Sequence, residues 1–305
     1  MSTVEIVAEG LAFPEAPVWM RDGSVIVVEV AAGRITRILP DGRKTTVATP
    51  GGGPNGLAIG PDGALYLCNN GGFEWIRQDG LLIPGHLAAD YTTGRIERID
   101  LSTGKVERLY AECDGHALSG PNDIVFDASG GFWFTDLGKI RENATDHGGL
   151  YYAKPDGSDI RCAVYGPGMN GIGLSPDGRT VYTALTMERT VLAFDITGPG
   201  EVAPSMFAAL PGRVVTAFAG HTLLDSLALD ADGNVCVATL VASPGITSVD
   251  PATGAQSLRA FPDLLTTNIC FGGGDMQDAW VTLSSTGRLA KTRWDRPGLK
   301  LAHYA

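Results

Sequence analysis

One pattern recurs six times along the 305-residue chain and limits the fold more than any other feature. The segments PEAPVWMRDGSVIVVEV, PNGLAIGPDGALYLCNN, PNDIVFDASGGFWFTDL, MNGIGLSPDGRTVYTAL, LDSLALDADGNVCVATL and TNICFGGGDMQDAWVTL share one design. A polar residue begins a short apolar strand, a turn follows, and a second apolar strand leads away. Seven residues separate the polar position from the turn in every copy: Glu15 to Asp22, Asn55 to Asp62, Asn122 to Ser129, Asn170 to Asp177, Asp225 to Asp232 and Asn268 to Asp275. Five of the turns are Asp-Gly or Ser-Gly, where glycine supplies the positive φ of a tight hairpin. Each copy continues into a third strand (GRITRIL, GRIERIDL, GGLYYAK, TVLAFDI, GITSVD, GRLAKTRW). Copies one to five add a fourth: KTTVAT, KVERLY, RCAVY, APSMFA and AQSLRA.

The polar positions lie 40, 67, 48, 55 and 43 residues apart, and four-stranded meanders of that size pack radially as a propeller. The expected fold is all-β, a six-bladed β-propeller of four-stranded antiparallel blades, with residues 1–305 as one domain. The sixth copy lacks an obvious edge strand, whereas VEIVAE precedes Glu15 much as KTTVAT precedes Asn55. The ring is therefore expected to close through the N-terminal strand, with KLAHY at the other end as the rival. A β-sandwich is the alternative fold, but it has no reason to repeat one phase six times.

Composition narrows the function. A net charge of −11 disfavours phosphate-backbone binding, so nucleic acid is not an expected partner. No run approaches the ~18 apolar residues of a membrane span, and MSTVEIVAEG lacks a basic and apolar leader; a cytoplasmic location is expected. Five cysteines without CxxC spacing point to buried thiols rather than disulfides. Oligomeric state has no readable signature.

In a propeller the first strand of each blade lines the central channel, so Glu15, Asn55, Asn122, Asn170, Asp225 and Asn268 are expected to converge. Two are carboxylates, and like charges ~4 Å apart repel by about 4 kcal/mol at an effective dielectric near 20. Either one carboxyl keeps a proton or a cation lies between them, since no Lys or Arg holds any of the six positions. The four Asn residues offer neutral hard oxygens, a donor set suited to calcium, magnesium or manganese. One divalent cation is expected, calcium first, with Zn2+, Mn2+, Mg2+ or Fe2+ as alternatives. Taken singly, each Asn could merely satisfy turn backbone.

Chain direction puts the loops joining strands two and three, and those joining blades, on the face where these side chains sit. The longest irregular stretches are Gly71 to Thr93, Ala111 to Gly120, Gly138 to Gly149 and Arg213 to Leu224. They carry His86, His116, His147, His221, Trp75 and Tyr91. Trp75, His86, Asn55, Asn268 and Ser226 are the expected substrate contacts.

The chain resembles the calcium-dependent gluconolactonase and senescence-marker-protein (regucalcin) propellers, and more distantly diisopropylfluorophosphatase. PEAPVW around Glu15, SGPNDIVFD around Asn122 and Asp123, MNGIGLSPDGRTVY around Asn170 and LDSLALDADGN around Asp225 carry the likeness. It implies a metal-dependent hydrolase of a lactone, a small molecule such as a sugar acid lactone or related ester. Glu15, Asn170 and Asp225 would be metal ligands, with Asn122 or its neighbour Asp123 a further ligand or substrate contact, and Ser226 assisting. Asp225, Asn122 and Asp123 are the expected catalytic residues. Relatives place a sugar-binding arginine just before the Asn-Asp pair; here Ser119, Gly120 and Pro121 stand there, which leaves the lactone open. A phosphotriesterase-like hydrolase and a non-catalytic binding propeller are the competing functions.

Other motif matches fail on context. Gly51 to Gly56 fits GxGxxG without a following helical pattern. Asp230, Asp232 and Asn234 open like an EF-hand, but Val235 and Val241 occupy its Gly and Glu places. The glycosylation triplet at Asn143 is irrelevant to a cytoplasmic chain. Neither GxSxG nor HExxH occurs.

Overall fold

A computed structural model describes residues 3–206 and 211–303. It is a six-bladed propeller, each blade a four-stranded antiparallel sheet. Blade one comprises Pro14–Trp19, Val25–Glu29, Arg34–Ile38 and Lys44–Ala48. Blade two comprises Pro54–Ile59, Leu65–Asn69, Arg95–Ile99 and Val106–Tyr110. Blade three follows with Pro121–Phe126, Phe132–Asp136, Gly148–Ala153 and Ile160–Gly166. Blade four has Ile172–Leu174, Thr180–Leu185, Thr190–Gly198 and Arg213–Ala217. Blade five runs through Thr222–Leu229, Val235–Val241, Gly245–Val249 and Gln256–Ala260.

Blade six takes three strands from one end of the chain, Thr266–Gly272, Asp278–Leu283 and Arg288–Arg293, and its edge strand, Glu5–Ala8, from the other. Glu5 pairs with Lys291 and Ile6 with Ala290, so the N-terminal strand closes the ring as expected. The rival segment and the two residues just before it do something else. Gly298 bridges Asp230, Leu299 N donates to the Leu229 carbonyl, and Leu299, Leu301 and His303 close a cavity of about 110 Å³ in the channel, on the face opposite the long loops. Tyr304 of that segment lies outside the described residues.

Side chains from adjacent blades interlock in six apolar clusters, one per blade interface. Ile26, Val28, Leu65 and Leu67 pack between blades one and two; Tyr66, Phe126, Phe132 and Phe134 pack between two and three. The other four clusters complete the ring. Fully burying each large side chain contributes about 1.5–3 kcal/mol, so the interfaces rather than the channel hold the ring together. The repeated turns are fixed by carboxylates: Asp22, Asp62, Asp177 and Asp275 each accept the N–H two residues on.

Two expected elements differ. The fourth strand of blade four is Arg213–Ala217, not APSMFA. Ala203–Met206 form no strand, and Phe207 and Ala208 lie outside the described residues. Glu201–Val202 instead pairs with the far end of Thr190–Gly198, and the chain returns later to supply the edge. Arg213 to Leu224 is accordingly strand at both ends, with only a short turn at 218–221. The stretch Gly71 to Thr93, expected to be irregular, holds a hairpin of Phe73–Gln78 and Leu81–Leu87 turned at Asp79-Gly80. Leu82 N donates to the Ser285 carbonyl, and the Trp75 ring lies 4.9 Å from that of Phe13, so this hairpin leaves blade two and reaches blades one and six. No described helix is long and apolar enough to cross a membrane.

Candidate metal centre

Five of the six innermost strands break register near their start, between Glu15 and Val18, Pro54 and Leu57, Pro121 and Ile124, Leu224 and Leu227, and Thr266 and Asn268. A β-bulge adds a residue and re-aims its side chain. Glu15, Asn55, Asn122, Asp225 and Asn268 all sit in or at the edge of these breaks. Asn170 comes just before its strand, where Asn170 N donates to the Ala184 carbonyl. Glycines follow two of these residues because neighbouring inner strands nearly touch: a Cβ on Gly56 would lie 2.3 Å from the Asn122 carbonyl oxygen, and one on Gly171 2.6 Å from Leu227 N.

These residues contact one another as neighbouring pairs around the ring. Asn268 Nδ2 donates to Glu15 Oε2 at 2.8 Å, although 253 residues separate them. Asn55 Nδ2 donates to the Asn122 carbonyl at 3.1 Å. Asn170 bonds the Asp225 carboxylate, and Asp225 feels the charges of Glu15 and Asp123. Five of the six are buried; Asp225 is half-buried.

Their electrostatics are unfavourable as they stand. Burial raises the Glu15 carboxyl, against bonds from Thr267, Asn268 and the Ala16 N–H that lower it. Burial, then the nearby Glu15 charge, pushes Asp225 well above the carboxylate range despite its bond from Asn170. Asp123 is pushed up to about 7 by burial, partly offset by the Ile124 N–H, with Glu15 raising it and Ser226 lowering it. A cation would remove the need for these protons.

The amides divide into two kinds. Asn268 Oδ1 accepts Ile269 N while its Nδ2 serves Glu15, and Asn55 Oδ1 accepts Asn70 Nδ2 while its Nδ2 serves the Asn122 carbonyl, so both amides are engaged at oxygen and at nitrogen. Asn122 Oδ1 and Asn170 Oδ1 are buried acceptors with no hydrogen-bond partner. Buried polar atoms are rarely left so, and a hard cation bound by Glu15, Asp225 and these two oxygens fits the donor set. Among the described residues no three His, Cys, Asp or Glu side chains gather as a metal cluster; four of the six ring positions are amides.

The expected substrate contacts are distributed differently. Ser226 is buried beside Asp123. Trp75 is half-buried on the hairpin, packed on Phe13 and Phe73, and His86 is exposed on its second strand. His116, His147 and His221 are exposed as well, and His147 Nδ1 is 2.9 Å from the Gly166 carbonyl.

Hydroxyls missed in the sequence steady the site. Thr135 Oγ1 bonds the Asn170 carbonyl and accepts Asp123 N, Asn170 Nδ2 donates to Thr186, and Thr267 bonds Glu15 and meets Thr282 at 2.9 Å. One signal was available: each of Thr135, Thr183, Thr239 and Thr282 stands near the end of its blade's second strand, within one position of the same offset from the polar strand start, and all four are fully buried.

The fold is that of a six-bladed propeller, with carboxylates and two unpartnered amide oxygens carried at the starts of its innermost strands. The chain is a member of the SMP-30/gluconolactonase/LRE-like family, whose sequence pattern matches residues 13–285. Among curated relatives, the lactonase drp35 of Staphylococcus saprophyticus is 28% identical over 233 residues, 75% of this chain and 62% of that protein. The lactonase drp35 of Staphylococcus haemolyticus is 28% identical over 238 residues, 77% of this chain and 65% of that protein. The chain thus spans less than two thirds of the length of either relative. In structure, a gluconolactonase of Xanthomonas campestris superposes with a TM-score of 0.74 at 20% identity, over 97% of this chain and 90% of the other. Regucalcin of Agrobacterium tumefaciens, described as a calcium-binding protein, superposes with a TM-score of 0.72 at 19% identity over 98% of both. These two superpositions speak for the fold.

Proposed function

We propose that this chain is a divalent-cation-dependent lactonase, with calcium the preferred ion and a small-molecule lactone or related cyclic ester as substrate. The observation that carries the reading is the pair of buried, unpartnered oxygens on Asn122 and Asn170 together with Glu15 and Asp225, two carboxyls raised by burial. Membership of a family with gluconolactonases, and the likeness to proteins named lactonase, supports the reaction class.

Glu15, Asn122, Asn170 and Asp225 would hold the ion. Bound there, a divalent cation supplies Lewis-acid polarisation of an ester carbonyl. Glu15 acts only as a ligand, because Asn268 and the Ala16 N–H fix its Oε2. Asp225, the least buried of the six, would take the proton of the attacking water as its oxygen bonds to the ester carbon, and return it to the ring oxygen as the acyl C–O bond breaks. Asp123, bonded by Ser226, has a charge that reaches Asp225 and would help hold it in its acid form. Asn55 and Asn268 brace the wall of the pocket against substrate, while Trp75 and His86 border it from the hairpin. Residues 1–305 would work as one propeller domain.

The test is chelation. Lactone hydrolysis should fall to background in EDTA and return with calcium across a panel of aliphatic, aromatic and sugar lactones. Hydrolysis untouched by exhaustive chelation would remove the ion from the reaction, and no turnover on any lactone would remove the reaction class.

A further inference from the structure

The loop face buries one ammonium that the proposed chemistry leaves unused. Lys139, three residues beyond the second strand of blade three, is 3% exposed. Its Nζ donates to Asn70 Oδ1 at 3.2 Å and to the Gly72 carbonyl at 3.0 Å, and lies 3.7 Å from the centroid of the Phe73 ring. Asp136 is the carboxylate whose charge reaches it, yet the Asp136 oxygens are taken by the N–H groups of Ser119, Gly120 and Gly138. Burial depresses the ammonium to about 7. A methionine would fill this volume without that desolvation penalty, so packing alone does not account for a lysine here.

The hydrogen bonds give it a task. Asn70 Oδ1 accepts from both Lys139 and Gly72 N, the latter at 2.8 Å. Flipping this amide would aim its NH₂ at two donors, so its orientation is set. Asn70 Nδ2 is then left to donate to Asn55 Oδ1 at 3.2 Å, which turns Asn55 Nδ2 onto the Asn122 carbonyl at 3.1 Å. The relay ends on the residue whose side-chain oxygen is buried without a partner. It begins on a cation that also pins the base of the hairpin of blade two to the loop of blade three.

We propose that Lys139 is a positioning residue for the ion site: through Asn70 and Asn55 it fixes the Asn122 peptide and hence the direction of Asn122 Oδ1. The inference rests on the divalent-cation reading above. Outer partners of metal ligands typically change affinity by about 10–100-fold when lost, and members of one relay are non-additive.

The experiment compares wild type, Lys139→Met, Asn70→Leu and the double variant in two ways: calcium titration by calorimetry, and hydrogen exchange of the calcium-free protein over Pro121–Phe126. Lys139→Met should weaken calcium binding about tenfold. Asn70→Leu should do the same while sparing the contact of Lys139 with Gly72, so it serves if the lysine variant folds poorly. The double variant should bind no worse than Asn70→Leu alone, and exchange over Pro121–Phe126 should quicken in each. Wild-type calcium affinity with unchanged exchange in Lys139→Met, or additive losses in the double variant, would overturn the assignment. If wild type takes up no calcium, the ion reading fails separately, and the exchange comparison still decides whether Lys139 holds the Asn122 peptide.

Discussion

Four asparagines stand at equivalent places in the ring, yet their amides are not equivalent. Asn55 and Asn268 spend both ends of the amide on protein, whereas Asn122 and Asn170 bury an acceptor that nothing satisfies. Leaving such a group unpaired costs about 1–3 kcal/mol, and two of them beside raised carboxyls mark where the site departs from what stability alone would choose. Asp225 differs again, being an acid, half-buried and close to Glu15. Replacing Asp225 by Asn keeps its shape but removes its ability to take a proton. Turnover at saturating calcium should fall about 100-fold or more, in the range of a lost general base. Asn55→Ala cuts the relay to Asn122, so its loss should lie mainly in calcium affinity, with kcat several-fold lower at most once the ion is saturating. Steady-state kinetics on one lactone separates the two, and equal losses of kcat would remove Asp225 from proton transfer.

At the scale of strands and turns, the six-fold phase was legible because two independent signals repeat together, the polar strand start and the Asp-Gly turn. Inner strands were readable since both faces are buried, as in Val25–Glu29 and Phe132–Asp136. The outer strand of blade four was misread for the opposite reason: none of Arg213–Ala217 is fully buried, so it carries little hydrophobic contrast against APSMFA. The hairpin over blade one was readable in principle from Asp79-Gly80, both at positive φ, but its mostly exposed first strand lacks a clean alternation. The bulges that turn five site residues into the channel leave no mark in composition, because a bulge is a property of pairing. The convergence of Glu15, Asn55, Asn122, Asn170, Asp225 and Asn268 could therefore be inferred, while the division of the asparagines, the threonine supports and the relay from Lys139 depend on geometry and could not.

For the whole molecule, the ring concentrates negative charge on its own axis. In calcium-free protein Glu15, Asp123 and Asp225 hold protons more tightly folded than unfolded, since each carboxyl is raised. Their contribution to stability is fully present below the unfolded values near 4 and is lost as pH climbs through the folded values, about 7 for Asp123. Lys139 has the opposite sign: depressed to about 7, it penalises folding at low pH, and that penalty lifts above pH 7. The Tm in EDTA should accordingly drop between about pH 4 and pH 7, and saturating calcium should abolish most of that drop. Calcium at 100 times its dissociation constant should add about 2.7 kcal/mol at neutral pH. A calcium-free Tm that is flat or rising over this range would contradict the carboxylate assignment.

The most direct measurement is an anomalous difference map from crystals grown with calcium. One peak on the channel axis is expected, with Glu15, Asp225 and the side-chain oxygens of Asn122 and Asn170 about 2.3–2.6 Å from it. The same four oxygens surrounded only by water at saturating calcium, or a peak elsewhere on the chain, would contradict the account.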